Sequence, residues 1–142
     1  MSSGRDDVTA APITQLSHVQ LLVSDVDASA RWYTTVLGLV PYAEDRAIGY
    51  VALRQPAARM VLVLTEREPR DESTGRTGQH DPASDGLDHI AFAVYDGEAL
   101  HGWAARLAGL GVAHDGVVLE NGNPSLQLRD PDGIAIELVA AG

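Results

Sequence analysis

Two histidines and one glutamate stand out by their placement. His18 and His89 each fall early in an apolar run. The two runs, LSHVQLLVSDVDASARWYTTVLGL from Leu16 and LDHIAFAVYDGEALHGWAARLAGL from Leu87, register on a shift of 71 residues. Leu16 then meets Leu87, His18 meets His89, Asp25 meets Asp96, Trp32 meets Trp103 and Gly38-Leu39 meets Gly109-Leu110. Self-similarity at one offset marks a duplicated unit, and two copies make a paired module. Glu137 lies in a third apolar run, IAIELV. Two imidazoles and a carboxylate are the donors of a 2-His-1-carboxylate site, which occupies one face of a divalent ion and leaves positions open to substrate and water. The chain has no cysteine, so disulfides, thiolate ligands and a cysteine nucleophile are excluded. The donor types suit one divalent metal ion, Fe2+, Mn2+, Zn2+, Ni2+ or Co2+, without choosing among them.

Strand alternation decides whether these side chains can share a surface, because residues two apart point the same way. Around the first histidine, His18, Gln20 and Leu22 fall on one face and Val19, Leu21 and Val23 on the other. Around the second, His89, Ala91 and Ala93 oppose Ile90, Phe92 and Val94. In the last strand, Ala135, Glu137 and Val139 oppose Ile134, Ile136 and Leu138. In all three the bulky hydrocarbon lies on one side and the His or Glu on the other. That pattern predicts a sheet with one face packed by helices and one lining a polar cavity. A single strand histidine is far more often a core or surface side chain than a ligand; the matched pair together with the glutamate carries the metal reading. His80 falls in a polar segment, His101 on a helix and His114 at a strand start, and all three read as solvated. Trp32 and Trp103, at helical spacing, read as core. No serine sits in a nucleophile-elbow context, and no glycine-rich phosphate loop is present.

The elements that must hold these groups follow in order. A strand over 18–24 leads to a helix capped by Asp25 or Asp27, with Ala28, Trp32, Val36 and Leu37 facing the core, stopped by Gly38. Short strands follow at 39–44, 48–53 and 60–66. The second copy repeats the plan: a strand over 87–95, a helix over 98–110 with Leu100, Trp103, Ala104 and Leu107 inward, then strands at 112–119, 125–129 and 134–139. Asp130-Pro131-Asp132-Gly133 is a hairpin turn. Each half is therefore β-α-β-β-β, and two halves give eight strands and two helices, an α+β architecture. The expected division is a flexible N-terminal tail at 1–13, a first module at 14–66, an inter-module loop at 67–86 and a second module at 87–142. The loop, with no periodicity and many turn formers, reads as a linker or a lid.

Net charge narrows the partners. Twenty acidic residues against ten basic give −10, which leaves no basic footprint for nucleic acid. No stretch reaches the 18 or so apolar residues of a membrane span, and the N-terminus lacks a signal-peptide core; a cytoplasmic location and a small-molecule substrate are expected.

With these residues in view, the chain resembles the vicinal oxygen chelate superfamily, which includes glyoxalases, extradiol dioxygenases, fosfomycin-resistance proteins, methylmalonyl-CoA epimerase and bleomycin-resistance proteins. The resemblance spans residues 14–140. It rests on His18 followed by Val23-Ser24-Asp25, on Trp32-Tyr33 and Val36-Leu37-Gly38-Leu39, on Leu87-Asp88-His89-Ile90-Ala91-Phe92, and on Asp130-Pro131-Asp132-Gly133 followed by Ile136-Glu137-Leu138. It implies two βαβββ modules forming a curled eight-stranded mixed sheet with the helices on its outer face, a homodimer, and metal ligands at His18, His89 and Glu137. Glyoxalases and the epimerase carry a fourth ligand on the strand ending the first module. Aligning Val63-Leu64-Thr65 with Glu137-Leu138-Val139 places Val63 there, whereas a strict 71-residue shift places Glu66 there; the first alignment is preferred.

A three-ligand site resembles that of the dioxygenases and fosfomycin-resistance transferases. Those proteins commonly have a tyrosine ten residues before the last glutamate, where this chain has Gln127. The expected function is a metal-dependent enzyme acting on a small oxygen-bearing substrate, leaning towards a dioxygenase. The metal would act as a Lewis acid, with Gln20, Gln127 and Val63 lining the substrate side. Its rivals are a glyoxalase-type lyase or epimerase, and a drug-sequestering protein of the bleomycin-resistance kind.

Overall fold

A computed structural model describes residues 10–12, 15–67, 86–120 and 122–140. His80, most of 67–86 and most of the N-terminal tail lie outside the described residues. The first module runs β1 (Val19–Val23), α1 (Val26–Leu37), β2 (Val40–Asp45), β3 (Tyr50–Gln55) and β4 (Met60–Glu66). The second runs β5 (His89–Val94), α2 (Gly97–Gly109), β6 (His114–Glu120), β7 (Asn123–Arg129) and β8 (Ala135–Ala140). Both modules have the expected β-α-β-β-β order. The eight strands hydrogen-bond as two four-stranded sheets, ordered β1-β4-β3-β2 and β5-β8-β7-β6. Each is mixed: β1/β4 and β5/β8 are parallel, the other neighbours antiparallel.

β3 begins at Tyr50, two residues later than expected, because Ile48 and Gly49 are spent in the turn after β2. Their amides donate to Asp45 and Arg46 carbonyls. Gly49 has φ 66, and a Cβ there would lie 3.0 Å from the Glu66 Cβ, so both the turn and the close approach of β4 require glycine.

The helices start alike. Asp25 Oδ1 accepts from Ala28 N at 3.0 Å and Asp96 Oδ1 from Ala99 N at 2.8 Å, each satisfying an orphan amide in a contact worth about 1 kcal/mol. α1 ends at Gly38, left-handed at φ 75. α2 ends at Leu110, followed by left-handed Gly111, with Gly109 still helical. Val26, Ser29, Ala30, Tyr33, Val36 and Leu37 make the buried stripe of α1. Val36 and Leu37 are buried as expected, while Ala28 and Trp32 are half-buried; Tyr33 is wholly buried, and Trp32 packs against its edge, ring centroids 5.0 Å apart. Because the helix begins at Val26, the 3.6-residue period brings Tyr33, and not Trp32, to the centre. In α2, Leu100 and Leu107 are buried, with Trp103 and Ala104 partly so.

The modules are joined by polar contacts. The β7–β8 turn enters the first module where β1 hands over to α1. Asp132, buried, accepts from the Ser24 amide on both oxygens (3.2 and 3.1 Å), from Ser29 Oγ at 3.5 Å and from Arg67 Nη2 at 3.2 Å. Asp130, also buried, accepts from Tyr33 Oη at 2.8 Å, and its Oδ1 accepts from the Asp132 and Ile134 amides. Burial, then the Asp130 charge, pushes the Tyr33 phenol far above its usual pKa, so it stays a donor. Burial also raises the Asp130 carboxyl, against the lowering by its donors. From the second module's helix, Arg106 donates to the Thr35 and Val36 carbonyls at the end of α1. The sequence showed the turn as a hairpin only; its two acids are also the junction between modules.

Candidate metal centre

Strand register builds the site. Across the parallel pair β5/β8, His89 faces Ala135 and Ala91 faces Glu137; across β7/β8, Gln127 faces Glu137. Residues opposite one another share a face. Ile136 and Leu138 with Leu126 and Leu128 are buried on the α2 side. His89, Ala91, Glu137 and Gln127 are on the other. His89 and Glu137 are diagonal neighbours there, and their Nε2 and Oε2 atoms are 3.3 Å apart. The other ring nitrogen, Nδ1, lies 2.7 Å from Asp88 Oδ2.

In the first module the equivalent pair β1/β4 sets Gln20 against Val63 and Val23 against Glu66. Gln20 is the repeat partner of Ala91, so Val63 occupies the place that Glu137 has in the second module. Val63 is buried and Gln20 exposed, with Gln20 Nε2 donating to Thr65 Oγ1 at 2.7 Å. Glu66 lies on the helix side with Val23. Its Oε1 accepts from the Val26 amide at 3.1 Å, at the electropositive start of α1, where a carboxylate is favoured.

His18 precedes β1 by one residue, exposed, with its Nδ1 3.0 Å from Ser17 Oγ. Among the described residues no three His, Cys, Asp or Glu side chains are grouped to hold one ion. Within one chain, therefore, His89 and Glu137 come together and His18 stands apart from them. Of the remaining histidines, His101 is exposed on α2, and His114 Nδ1 accepts from the Gly116 amide at 3.0 Å.

The pair fits a divalent ion on its own geometry. Nitrogen and oxygen donors bind such ions at about 2.0–2.2 Å, so two neighbouring ligands of one ion lie roughly 3–3.5 Å apart. The 3.3 Å separation of Nε2 and Oε2 falls in that range. Asp88 was not singled out from the sequence; the signal available was an acid immediately before the histidine in one copy and a hydroxyl in the other.

Comparison with known proteins agrees with this architecture. The sequence profile of the Glyoxalase/Bleomycin resistance protein/Dioxygenase superfamily matches residues 15–138. No curated protein matches the chain. Among solved structures, the chain is 30% identical to a glyoxylase/bleomycin resistance protein/dioxygenase domain from Frankia sp. EAN1pec (TM-score 0.77, covering 92% of this chain and 94% of that one). It is 21% identical to lactoylglutathione lyase from Agrobacterium tumefaciens (TM-score 0.71, 92% and 96%). It is 22% identical to TnmS3, an antibiotic binding protein from Streptomyces sp. CB03234 (TM-score 0.70, 94% and 100%). The last two likenesses are of fold.

Proposed function

We propose that this chain, which belongs to the Glyoxalase/Bleomycin resistance protein/Dioxygenase superfamily, is a divalent-metal-dependent enzyme that takes a small substrate by two neighbouring oxygens, with a three-ligand site of the dioxygenase-like kind. The observation that carries the reading is the 3.3 Å approach of His89 Nε2 to Glu137 Oε2 on the face turned away from α2. His89 and Glu137 are the first two ligands, and Val63, at the place of Glu137 in the other module, supplies none. When bound, the metal supplies Lewis-acid polarisation of substrate oxygens. The chain's own contribution is placement: Gln127, opposite Glu137, offers an amide to the substrate, Ala91, also opposite Glu137, leaves room for it, and Val63 presents hydrocarbon where the second module has its acid.

The third ligand, in this reading, is His18 of the partner subunit. Members of the superfamily often form dimers. β1 and β5 are both edge strands, open to strand pairing, and the residues facing away from the helices on them, Gln20, Leu22, His89, Ala91 and Ala93, are exposed in one chain. A second copy that sets its β1 beside β5 brings an imidazole to His89 and Glu137 and covers both rows.

Metal analysis of protein purified without a histidine tag tests this. Stoichiometric metal is expected, with its loss in His18→Ala, His89→Ala and Glu137→Ala. Mixing the His18→Ala and Glu137→Ala proteins should restore about a quarter of the sites, because a mixed dimer with shared ligands keeps one intact site of two. Metal-free wild-type protein overturns the enzyme reading. Oxygen uptake with catechols on the Fe2+-loaded protein tests the dioxygenase branch, and silence at full loading removes it. A second reading, sequestration of an apolar drug, draws on the small apolar residues beside the pair, Ala91 and Ala93; it predicts tight binding of an aromatic drug by metal-free protein.

A further inference from the structure

Asp88 and Ser17 occupy the same position in the repeat, the residue before the histidine. Both touch the same atom of that histidine. Asp88 Oδ2 lies 2.7 Å from His89 Nδ1, and Ser17 Oγ lies 3.0 Å from His18 Nδ1. The two contacts differ in what they demand of the ring. An ionised carboxylate only accepts hydrogen bonds, whereas a hydroxyl both donates and accepts. Once Nε2 is given to an ion, the ring's hydrogen must sit on Nδ1, and Asp88 Oδ2 is the acceptor placed 2.7 Å away to receive it. Nε2 is also the atom turned to Glu137. Opposite Ser17, either nitrogen of His18 can carry the hydrogen. We infer that Asp88 is a positioning residue that fixes the tautomer and ring orientation of His89 for metal binding through Nε2, and that Ser17 holds His18 in place without fixing its tautomer.

The inference rests on the proposed metal site and adds an order to it. His89 and Glu137 form the pre-set half, on one sheet of one chain. His18 is the adjustable ligand. Partners that orient a ligating histidine through its second nitrogen contribute about 10–100-fold to metal affinity. Asp88 is exposed (84%, against 42% for His89), so the lower end of that range is expected here.

The test is zinc affinity, measured by competition with a chromophoric chelator on tag-free protein, paired with imidazole ¹⁵N–¹H NMR of the zinc-loaded and metal-free forms. Wild-type protein should show zinc on His89 Nε2 and a slowly exchanging proton on Nδ1. Asp88→Ala should weaken zinc about tenfold and lose that slow proton in the metal-free form too. Asp88→Asn keeps an acceptor oxygen and should recover the slow proton and most of the affinity, whereas Ser17→Ala should change affinity by less than about threefold. Because Asp88 lies on the surface, all three variants should keep the wild-type melting temperature. Zinc binding in the wild type with unchanged affinity and Nδ1 exchange in Asp88→Ala overturns the inference and leaves the metal site standing. No zinc binding by wild-type protein overturns both.

Discussion

In the first module the parallel pair β1/β4 sets Gln20 against Val63; in the second, β5/β8 sets Ala91 against Glu137. The β3–β4 turn of the first module runs Gln55-Pro56-Ala57-Ala58-Arg59, and the β7–β8 turn of the second runs Asp130-Pro131-Asp132-Gly133. Tyr33 of α1 has Ala104 as its repeat partner in α2. The two modules therefore share helix N-caps, sheet order and parallel pairing, and differ in where carboxylates are placed. The second module holds the acid of the candidate metal pair, the acid behind its histidine and the two acids of the junction. The first receives the junction on Tyr33, Ser24 and Ser29, with Arg67 just past β4, and has Val63, Ala57, Gln55 and Ser17 where its twin has Glu137, Asp132, Asp130 and Asp88. Duplication fixes a skeleton, and the polar equipment of each copy has diverged on it.

The largest expected effect comes from taking the junction's deepest acid away. Asp132 is 1% exposed and satisfies an amide and a hydroxyl of the other module and the guanidinium of Arg67 just past its last strand. Asp132→Ala leaves those donors without it and should cost about 3 kcal/mol in urea-melt stability. Ala57→Ser in the first module's turn, which has no such duty, should change stability by less than about 0.5 kcal/mol. Equal losses from the two changes would mean that the junction is not one-sided.

Next comes the carboxylate position itself. Val63→Glu gives the first module what the second has. Val63 is 3% exposed, so an unpaired carboxylate there should destabilise metal-free protein by about 2–3 kcal/mol. If the face is a metal site, a divalent ion should restore more melting temperature to Val63→Glu than it adds to wild type. Identical shifts in the two proteins would place Val63 away from the ion.

How much of this the sequence shows depends on the periodicity that carries each feature. Strand parity placed His89, Glu137 and Gln127 on one face and the hydrocarbon on the other, because a period of two survives small errors in strand ends. It left β4 ambiguous, since Val61 through Leu64 are all apolar. Only the register Gln20↔Val63 and Val23↔Glu66 resolves which way Glu66 turns. Helical spacing finds Val36 and Leu37, which are buried, but sets Trp32 inward where Tyr33 lies on the buried period. Asp130 and Asp132 looked like turn residues because turn chemistry explains them locally; contacts 97 and 108 residues away in sequence leave no local trace.

Tyr33→Phe should have a smaller effect. It removes the 2.8 Å donor to Asp130 Oδ2 and keeps the ring that fills the core. A hydrogen bond to a charged group is worth about 1.5–3 kcal/mol, and the lower end applies because two amides still hold Oδ1. The repeat partner, Ala104, has no hydroxyl to lose, so the loss measures how much of the junction runs through this one contact. An unchanged melting temperature would assign the turn's share of the junction to Asp132, beside the Arg106 contacts from α2.

The smallest effect is one of sign. Burial raises the Asp130 pKa above its ordinary value of 3.8, and the hydrogen bonds from Tyr33, Ile134 and Asp132 only partly oppose it. An acid whose pKa is higher folded than unfolded binds its proton more tightly in the folded state. Its penalty is complete above the folded pKa and is relieved as pH falls through that value towards 3.8. Stability gains protons on the folded side, opposite to a surface ion pair, whose contribution is lost on acidification. Asp130→Asn keeps an acceptor for the two amides and cannot titrate. The difference in unfolding free energy, wild type minus Asp130→Asn, should therefore rise as pH is lowered through the acid range. In the first module Gln55 stands where Asp130 stands in the second, so Gln55→Ala should leave that slope untouched. A difference that falls with decreasing pH would show that the donors around Asp130 outweigh its burial, and that the junction is held by a charge the fold prefers to keep.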